Sequence, residues 1–426
     1  MQRLTEESVE KAKENARNRC EIVTRKMALD HVRKTHFNQN NIKTEFNGVF
    51  DDNDRPDVDT LRDKQPLYYT QLFASTGVGE EKLEQIGLYS SVSNEMEPDR
   101  CEWYRLRHKN CKMIEGKFDD PEIFEQVVSA HLKHKNELIL ASPVCRDFSI
   151  AGKRDFDNPR ARLIFKVLEF IRRTNGTTRH VLIENVPGFL TAAPENWPEL
   201  QRETGRINLG TYVKEELEKL GHTVNIAIVY GADYNTAQKR KRAFILASKD
   251  CLWKFPKKDK RWKTLMDVIA HLPPLEPGEQ SDYHDLHRVP DIDEAQADIL
   301  RHTPTGNSAQ DNDEEFLPVK KGGERSAAIF NSHNKRNCWG MPAATVMQHN
   351  DNIGSHQTVH PGRPLSDGTW TDPRPFSILE LLLITGLDEN YFIPTNATDD
   401  LIRNVLGDCL LPNVNLALCS MIPGRK

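Results

Sequence analysis

The chain has 426 residues, of which 28% are charged, and a formal net charge of -5; its mean hydropathy is -0.65. Such a length allows two or three domains with a substantial core, but no apolar stretch approaches a membrane span and the opening Met1-Gln-Arg-Leu-Thr-Glu-Glu carries no signal-peptide core. Eight cysteines without a Cys-x-x-Cys pair argue against a zinc ribbon and against a secreted disulfide framework, so a reducing, intracellular home is expected.

Residues 1–66 stand apart. Thr5-Glu-Glu followed by Val9, Ala12, Ala16, Ile22 and Met27 predicts a capped, highly charged helix. The Asp/Asn-rich stretch from Asn38 to Asp63 reads as a loop or linker. The segment is an accessory one, either a surface helix or an arm for a partner or DNA.

From Leu67 the pattern alternates. Strands are expected at 67–74, 88–93, 111–114, 136–141, 179–184, 222–230 and 243–247, with helices at 80–86, 98–107, 121–132, 160–174 and 211–220. Such βαβ alternation implies an α/β fold with a mostly parallel, doubly wound sheet. Ligands of open α/β sheets bind at the carboxyl ends of the strands.

Two features of the first half suit a nucleoside cofactor. The Gly77-Val-Gly79 turn after the first strand lets backbone approach a ligand closely, beside Phe73. Glu95, at the end of the second strand, offers a carboxylate to ribose hydroxyls. The full G-x-G-x-x-G fingerprint is absent, which disfavours NAD and leaves S-adenosylmethionine equally suited.

The second half carries the chemistry. The apolar run Leu138-Ile-Leu-Ala141 leads through Ser142, Pro143 and Val144 to Cys145, then Arg146-Asp-Phe-Ser149 and a polar, Gly-containing loop. A thiol at that edge is a candidate nucleophile, although a lone cysteine is more often a small buried hydrophobe. Val181-Leu-Ile-Glu184 is a buried strand ending in a carboxylate, which is costly there unless paired. In Gln238-Lys-Arg240-Lys-Arg242, alternate residues of a strand point the same way, so the two arginines share a face. Residues 237–263 hold 11 Lys/Arg against 2 Asp, and the run Lys254 to Lys263 could bind phosphates.

In order and rough spacing, Ser142-Pro-Val-Cys145-Arg-Asp-Phe-Ser149, Glu184-Asn-Val-Pro187 and Gln238-x-Arg240-x-Arg242 resemble the DNA (cytosine-5) methyltransferases. Leu72-Phe-Ala-Ser-Thr-Gly77 resembles the first, cofactor-binding motif and Ser93-Asn-Glu95 the second. Leu272 to Pro274 and Ala343-Ala-Thr345-Val346 resemble the segments around the variable recognition region. Arg374 to Glu380, in Pro-Arg-Pro-Phe-Ser-Ile-Leu-Glu, resembles the ninth motif, and Leu406-Gly-Asp408-Cys409-Leu-Leu-Pro412 the tenth. The resemblance runs from about Leu72 to the C-terminus. It implies a Rossmann-like cofactor-binding and catalytic domain over 67–264, a loop-rich target-recognition domain over 265–365, and a C-terminal return to the catalytic domain over 366–426.

The resemblance also implies a mechanism. Cytosine C5 is a poor nucleophile, so Cys145 adds to C6 first. Glu184 engages N3 and the exocyclic amine, Arg242 binds O2, and Arg240 supports it. The methyl donor is S-adenosylmethionine, held by Phe73, Gly77, Gly79, Glu95, Met96, Asp119, Pro143 and Asp408. The partner is double-stranded DNA, with the target base extruded and Ser149, Gln238 and Thr345 on the DNA side. Neither a membrane nor a metal is implied; His284 and His287 could mimic a metal pair, but no further ligand sits at suitable spacing. A monomer is expected, in a microbe or virus that modifies its DNA.

Several positions depart from the family pattern. Val144 replaces a Pro, Arg146 a Gln, Ser75 the first Gly of the first motif, and Met96 an aromatic. Gln71 stands where an acid often precedes Leu-Phe. Gly116 is followed by Lys117, leaving Asp119 as the substitute acid, and Asp408 replaces an Asn. The catalytic trio is intact while the cofactor shell is altered, so an active but divergent enzyme is expected. The alternatives are an RNA cytosine-5 methyltransferase with the same core, and a catalytically silent DNA-binding homologue.

Overall fold

The computed structural model describes residues 46–149, 155–319, 334–354 and 357–425. The helix expected between Thr5 and Met27 and the centre of the loop after Cys145 lie outside them.

Seven strands form one sheet: β1 (Leu67–Leu72), β2 (Leu88–Glu95), β3 (Lys112–Glu115), β4 (Leu138–Ala141), β5 (His180–Asn185), β6 (Thr223–Tyr230) and β7 (Lys241–Ser248). Their spatial order is β3-β2-β1-β4-β5-β7-β6. The first five run parallel, whereas β7 is antiparallel to both β5 and β6. The order reverses between β1 and β4, and the carboxyl ends at such a reversal are where open α/β sheets bind ligands. Each strand lies within two residues of its expected ends. Strand β4 is buried along its whole length, as an apolar run sandwiched between two layers must be.

Helices α1 (Pro98–Arg107), α2 (Pro121–His134), α3 (Leu163–Arg173) and α4 (Leu209–Lys219) connect the strands. Asp120 starts α2 by accepting from the Glu122 and Ile123 amides, with Pro121 in the first turn, where a missing N–H costs nothing. Val127, Ile164, Val167, Phe170, Ile171, Val213 and Leu217 close over Ile139, Ala141, Val181, Ile183, Ala243 and Ile245 as one continuous core. The strand residues are alternate ones, so they belong to one face.

The expected helix over 80–86 is not an α-helix. Two 3-10 turns replace it, Val78–Glu80 and Leu83–Ile86, between left-handed Gly77 and Gly87. The 3-10 repeat brings Leu83 and Ile86 onto one side, where both are fully buried.

The chain divides into two compact units that interleave in sequence. One comprises 46–230, Lys241–Asp259 and 409–425, and contains the sheet; the other comprises Gly231–Arg240 and Lys260–Asp408 among the described residues. The segment 265–365 therefore falls inside the second unit. That unit has little regular structure beyond α5 (Glu294–Arg301), α6 (Ile378–Thr385) and α7 (Asp399–Asp408). Its centre is polar: buried Arg374 pairs with Asp372 at 2.6 Å and with Glu380 at 2.8 Å. Buried Arg336 donates to the carbonyls of Leu300, His360 and Asp372. Burial raises the Glu380 carboxyl, but Arg374 and neighbouring His360 outweigh that and hold it at about 2. In the sheet unit, α8 (Pro412–Cys419) returns to the glycine turn, where Asn415 donates to the Gly79 carbonyl at 2.8 Å.

Candidate active site

The sheet register carries distant residues to one edge. Ala141 of β4 pairs with Ile183 of β5, so the chain leaving β4 toward Cys145 lies beside Glu184. Glu184 in turn pairs with Phe244 of the antiparallel β7, whose beginning, at Arg242, therefore lies at the same edge. There the Arg242 Nε atom meets Glu184 Oε1 at 2.8 Å, with side chains 15% and 10% exposed. A carboxylate this sheltered needs such a partner, and the guanidinium fixes its orientation.

Cys145 is half-buried and begins a 3-10 turn, Arg146–Phe148. The turn is fastened from β5. Asn185 donates to the Pro143 carbonyl at 3.0 Å. Gly188 comes so close to the Phe148 carbonyl that a Cβ would overlap it. Phe148 itself packs edge-on against Phe189 and Trp197. One strand end thus holds both the acid and the backbone that carries the thiol.

The residues expected on the nucleoside side occupy the neighbouring strand ends. Phe73 and Ser75 both take left-handed backbone, with φ of 59° and 49°, a conformation that costs a non-glycine residue roughly 1–2 kcal/mol. Ser75, standing where the family pattern has glycine, is compensated: its amide donates to Glu95 Oε2 at 2.8 Å and its hydroxyl accepts from Arg100. Glu95 Oε1 also accepts from the Met96 and Glu97 amides. At Gly77 a Cβ would overlap the His108 ring, so the turn admits only glycine. The Thr76 hydroxyl is buried without a hydrogen-bond partner. Met96 is 50% exposed, Asp119 is exposed, and Phe73 stacks edge-on with Phe118.

In the second unit, Gln238 and Arg240 are buried and hold one segment. Gln238 Oε1 accepts from the Val346 amide, and Arg240 donates to the carbonyls of Val346 and Gly407 at 2.9 and 2.8 Å. Half-buried Thr345 precedes that anchored residue. Gly407 packs against the Met347 backbone with no room for a Cβ, and Asp408 accepts from Gln348 at 2.7 Å.

The family model described as C-5 cytosine-specific DNA methylase matches residues 68–423. This chain belongs to that family. The Type II methyltransferase M1.HgaI of Avibacterium volantium is 35% identical over 82% of this chain and 96% of its own length. M1.HphI of Haemophilus parahaemolyticus is 26% identical over 61% of this chain and 63% of its own. In structure, a protein assigned as a DNA modification methyltransferase from an E. coli prophage superposes with a TM-score of 0.59. It is 13% identical and covers 83% of this chain and 98% of its own, a likeness of fold alone. The protein is thus a DNA cytosine-5 methyltransferase acting with a methyl donor.

For this C-5 cytosine methylase, Cys145, Glu184 and Arg242 gather at the edge of the sheet unit, together with Phe73, Gly77, Gly79, Glu95 and Pro143. Arg240, Gln238, Thr345 and Asp408 lie in the second unit, Arg240 on backbone carbonyls. Ser149 closes the turn after Cys145. Lys254 and Lys257 of the basic run pair with Asp51 and Asp54. His287 bonds Ser377 Oγ and the Pro273 carbonyl, and no metal-holding group of three appears among the described residues. Asn185 and Gly188 also hold the Cys145 turn, and their signal in the sequence is adjacency to Glu184, in Glu184-Asn-Val-Pro-Gly188.

Proposed function

We propose that this methylase takes its methyl group from S-adenosylmethionine and places it on C5 of a cytosine extruded from double-stranded DNA, through a transient bond between Cys145 and C6. The observation that carries the reading is the Glu184–Arg242 pair, 2.8 Å apart, at the edge where the Cys145 turn is held. The residues around Gly77 fit a nucleoside: the turn has no room for side chains, Thr76 has an unused hydroxyl, and Glu95 has spent three acceptor positions on backbone amides. A carboxylate has about four, which leaves one for a ribose hydroxyl. Phe73, Gly77, Gly79, Glu95 and Met96 would hold the donor, with Asp119 at the rim. When bound, S-adenosylmethionine supplies an electrophilic methyl on a sulfonium.

The chain's own residues do the rest. The Cys145 thiolate adds to C6 while Glu184 hydrogen-bonds N3 and the exocyclic amine, drawing electrons from the ring. Arg242 orients Glu184 and faces O2, where negative charge builds. C5, made enamine-like by the addition, takes the methyl group; its proton then passes to solvent as the bond from sulfur to C6 breaks and the thiolate departs, which restores the ring. Arg240 and Gln238 act at a distance, fixing the backbone beside Thr345. Extrusion of the base costs roughly a few kcal/mol. The likeness to a Type II methyltransferase supports a place beside a restriction endonuclease inside the cell. Labelled methyl transfer to duplex DNA and to tRNA, followed by bisulfite sequencing, tests the reading. Label in duplex cytosines supports it; label in tRNA alone, or none with a DNA complex still formed, refutes it.

A further inference from the structure

Asp147 sits two residues after Cys145, in the same 3-10 turn, and its carboxylate is almost sealed from solvent. A buried carboxylate is expensive without a partner. Its partner is Arg160, thirteen residues on: Nε meets Oδ2 at 2.7 Å and Nη2 meets Oδ1 at 2.8 Å. Both oxygens are engaged by the planar fork, the arrangement that fixes direction as well as distance.

Arg160 is itself held. Asn158 accepts the Arg160 amide at 3.2 Å and starts the turn Pro159–Arg162. That turn runs directly into α3, whose Ile164, Val167 and Phe170 belong to the sheet core. The ion pair therefore ties the nucleophile's turn to the core at a point distinct from those held by Asn185 and Gly188. A well-packed apolar pair would fill the space with less desolvation, and a buried pair adds little to stability by its presence. What the fork adds is a single allowed position.

We propose that Asp147 and Arg160 are a positioning pair that sets where the Cys145 sulfur stands relative to Glu184 and Arg242. The pair governs the rate of attack on C6 and not the affinity for DNA or donor. This rests on Cys145 being the nucleophile. A displacement of about 1 Å in a reacting group can cost on the order of 10²-fold in rate.

A double-mutant cycle on the full-length protein tests it, using Asp147→Asn, Arg160→Lys and the pair together. Lysine keeps the charge but loses the fork, and at 37% side-chain exposure it is the substitution the fold tolerates if Asp147→Asn does not fold. The expected result for each single variant is a kcat lowered by roughly 10- to 100-fold, with KM for DNA and donor within about twofold. The rate of adduct formation with a 5-fluorocytosine duplex falls equally, and the double variant is no slower than the worse single. Losses that multiply in the double variant would overturn the pairing. So would an Arg160→Lys enzyme with normal kcat but weaker, more salt-sensitive DNA binding, which would make Arg160 a phosphate ligand. Cys145→Ala, run in parallel, separates the two ideas. If it still methylates, the nucleophile assignment fails and this inference with it; if it is dead while the cycle is multiplicative, only this inference fails.

Discussion

Replacing Glu80 with Gln should stabilise the protein by an amount that grows with pH. Glu80 is buried beside the glycine turn, where its carboxyl accepts from the Tyr104 hydroxyl at 2.6 Å and the Tyr69 hydroxyl at 3.4 Å. Burial pushes it up from 4.5 to about 8, against the pull of those two hydroxyls. The folded protein thus holds a neutral acid that the unfolded chain releases. Below pH 4.5 both states are protonated and the contribution of Glu80 is fully present. As pH rises from 4.5 toward 8 the unfolded carboxyl ionises alone and the contribution is lost. At pH 7 the loss is on the order of 3 kcal/mol, a large part of a typical folding free energy of about 5–15 kcal/mol. Glutamine keeps the acceptor for Tyr104 and does not ionise. Urea unfolding of both proteins at about pH 5.5 and 7.5 should show the variant's advantage widening by roughly 2–3 kcal/mol. An advantage equal at the two pH values would mean that burial does not hold the Glu80 proton in the folded protein.

Cys145→Ala should abolish methyl transfer and adduct formation while leaving the dissociation constant for duplex DNA within about twofold, since it removes one atom that acts only in the chemical step; turnover above background would exclude the thiol. Arg242→Lys should lower kcat on the order of 10²-fold with little change in KM, because lysine cannot both orient Glu184 and face the ring oxygen. A steady-state comparison that shows only a KM effect counts against that role. Gly188→Ala should cost about 1–3 kcal/mol and slow turnover as its methyl displaces the Phe148 carbonyl, read by thermal melting and single-turnover rates; a silent substitution would mean that the approach is not tight. Ser75→Gly should match or exceed wild-type stability, because glycine removes about 1 kcal/mol of left-handed cost while losing the Arg100 contact. A clear fall in melting temperature would show that contact to be the stronger effect.

The sheet was legible because its strands are short apolar runs separated by helical periods, and burial on both faces writes itself as composition. Cys145, Glu184 and Arg242 were legible for a related reason: each sits at the end of such a run, so locating the strand located the residue. The 3-10 turns at Val78–Glu80 and Leu83–Ile86 were not. Glu80 reads as the start of a helix, and Tyr69 and Tyr104, from other elements, make its burial tolerable. The second unit resisted for a different reason. Its centre is built from Arg336, Arg374, Asp372 and Glu380, side chains that look like surface in any hydropathy pattern. The job of Arg240 was equally hidden, because its acceptors at Val346 and Gly407 are backbone atoms and backbone leaves no trace in a sequence.

The anchoring of Gly79 by Asn415 has a consequence for the order of events in the cell. The glycine turn and its support lie 336 residues apart in the sequence, and the support is made after the turn. While the ribosome is still reading the codons for 412–419, the Gly79 carbonyl lacks its donor and Trp253 has no Leu418 carbonyl to bond. A nascent chain therefore carries an unsupported glycine turn until that helix has been made.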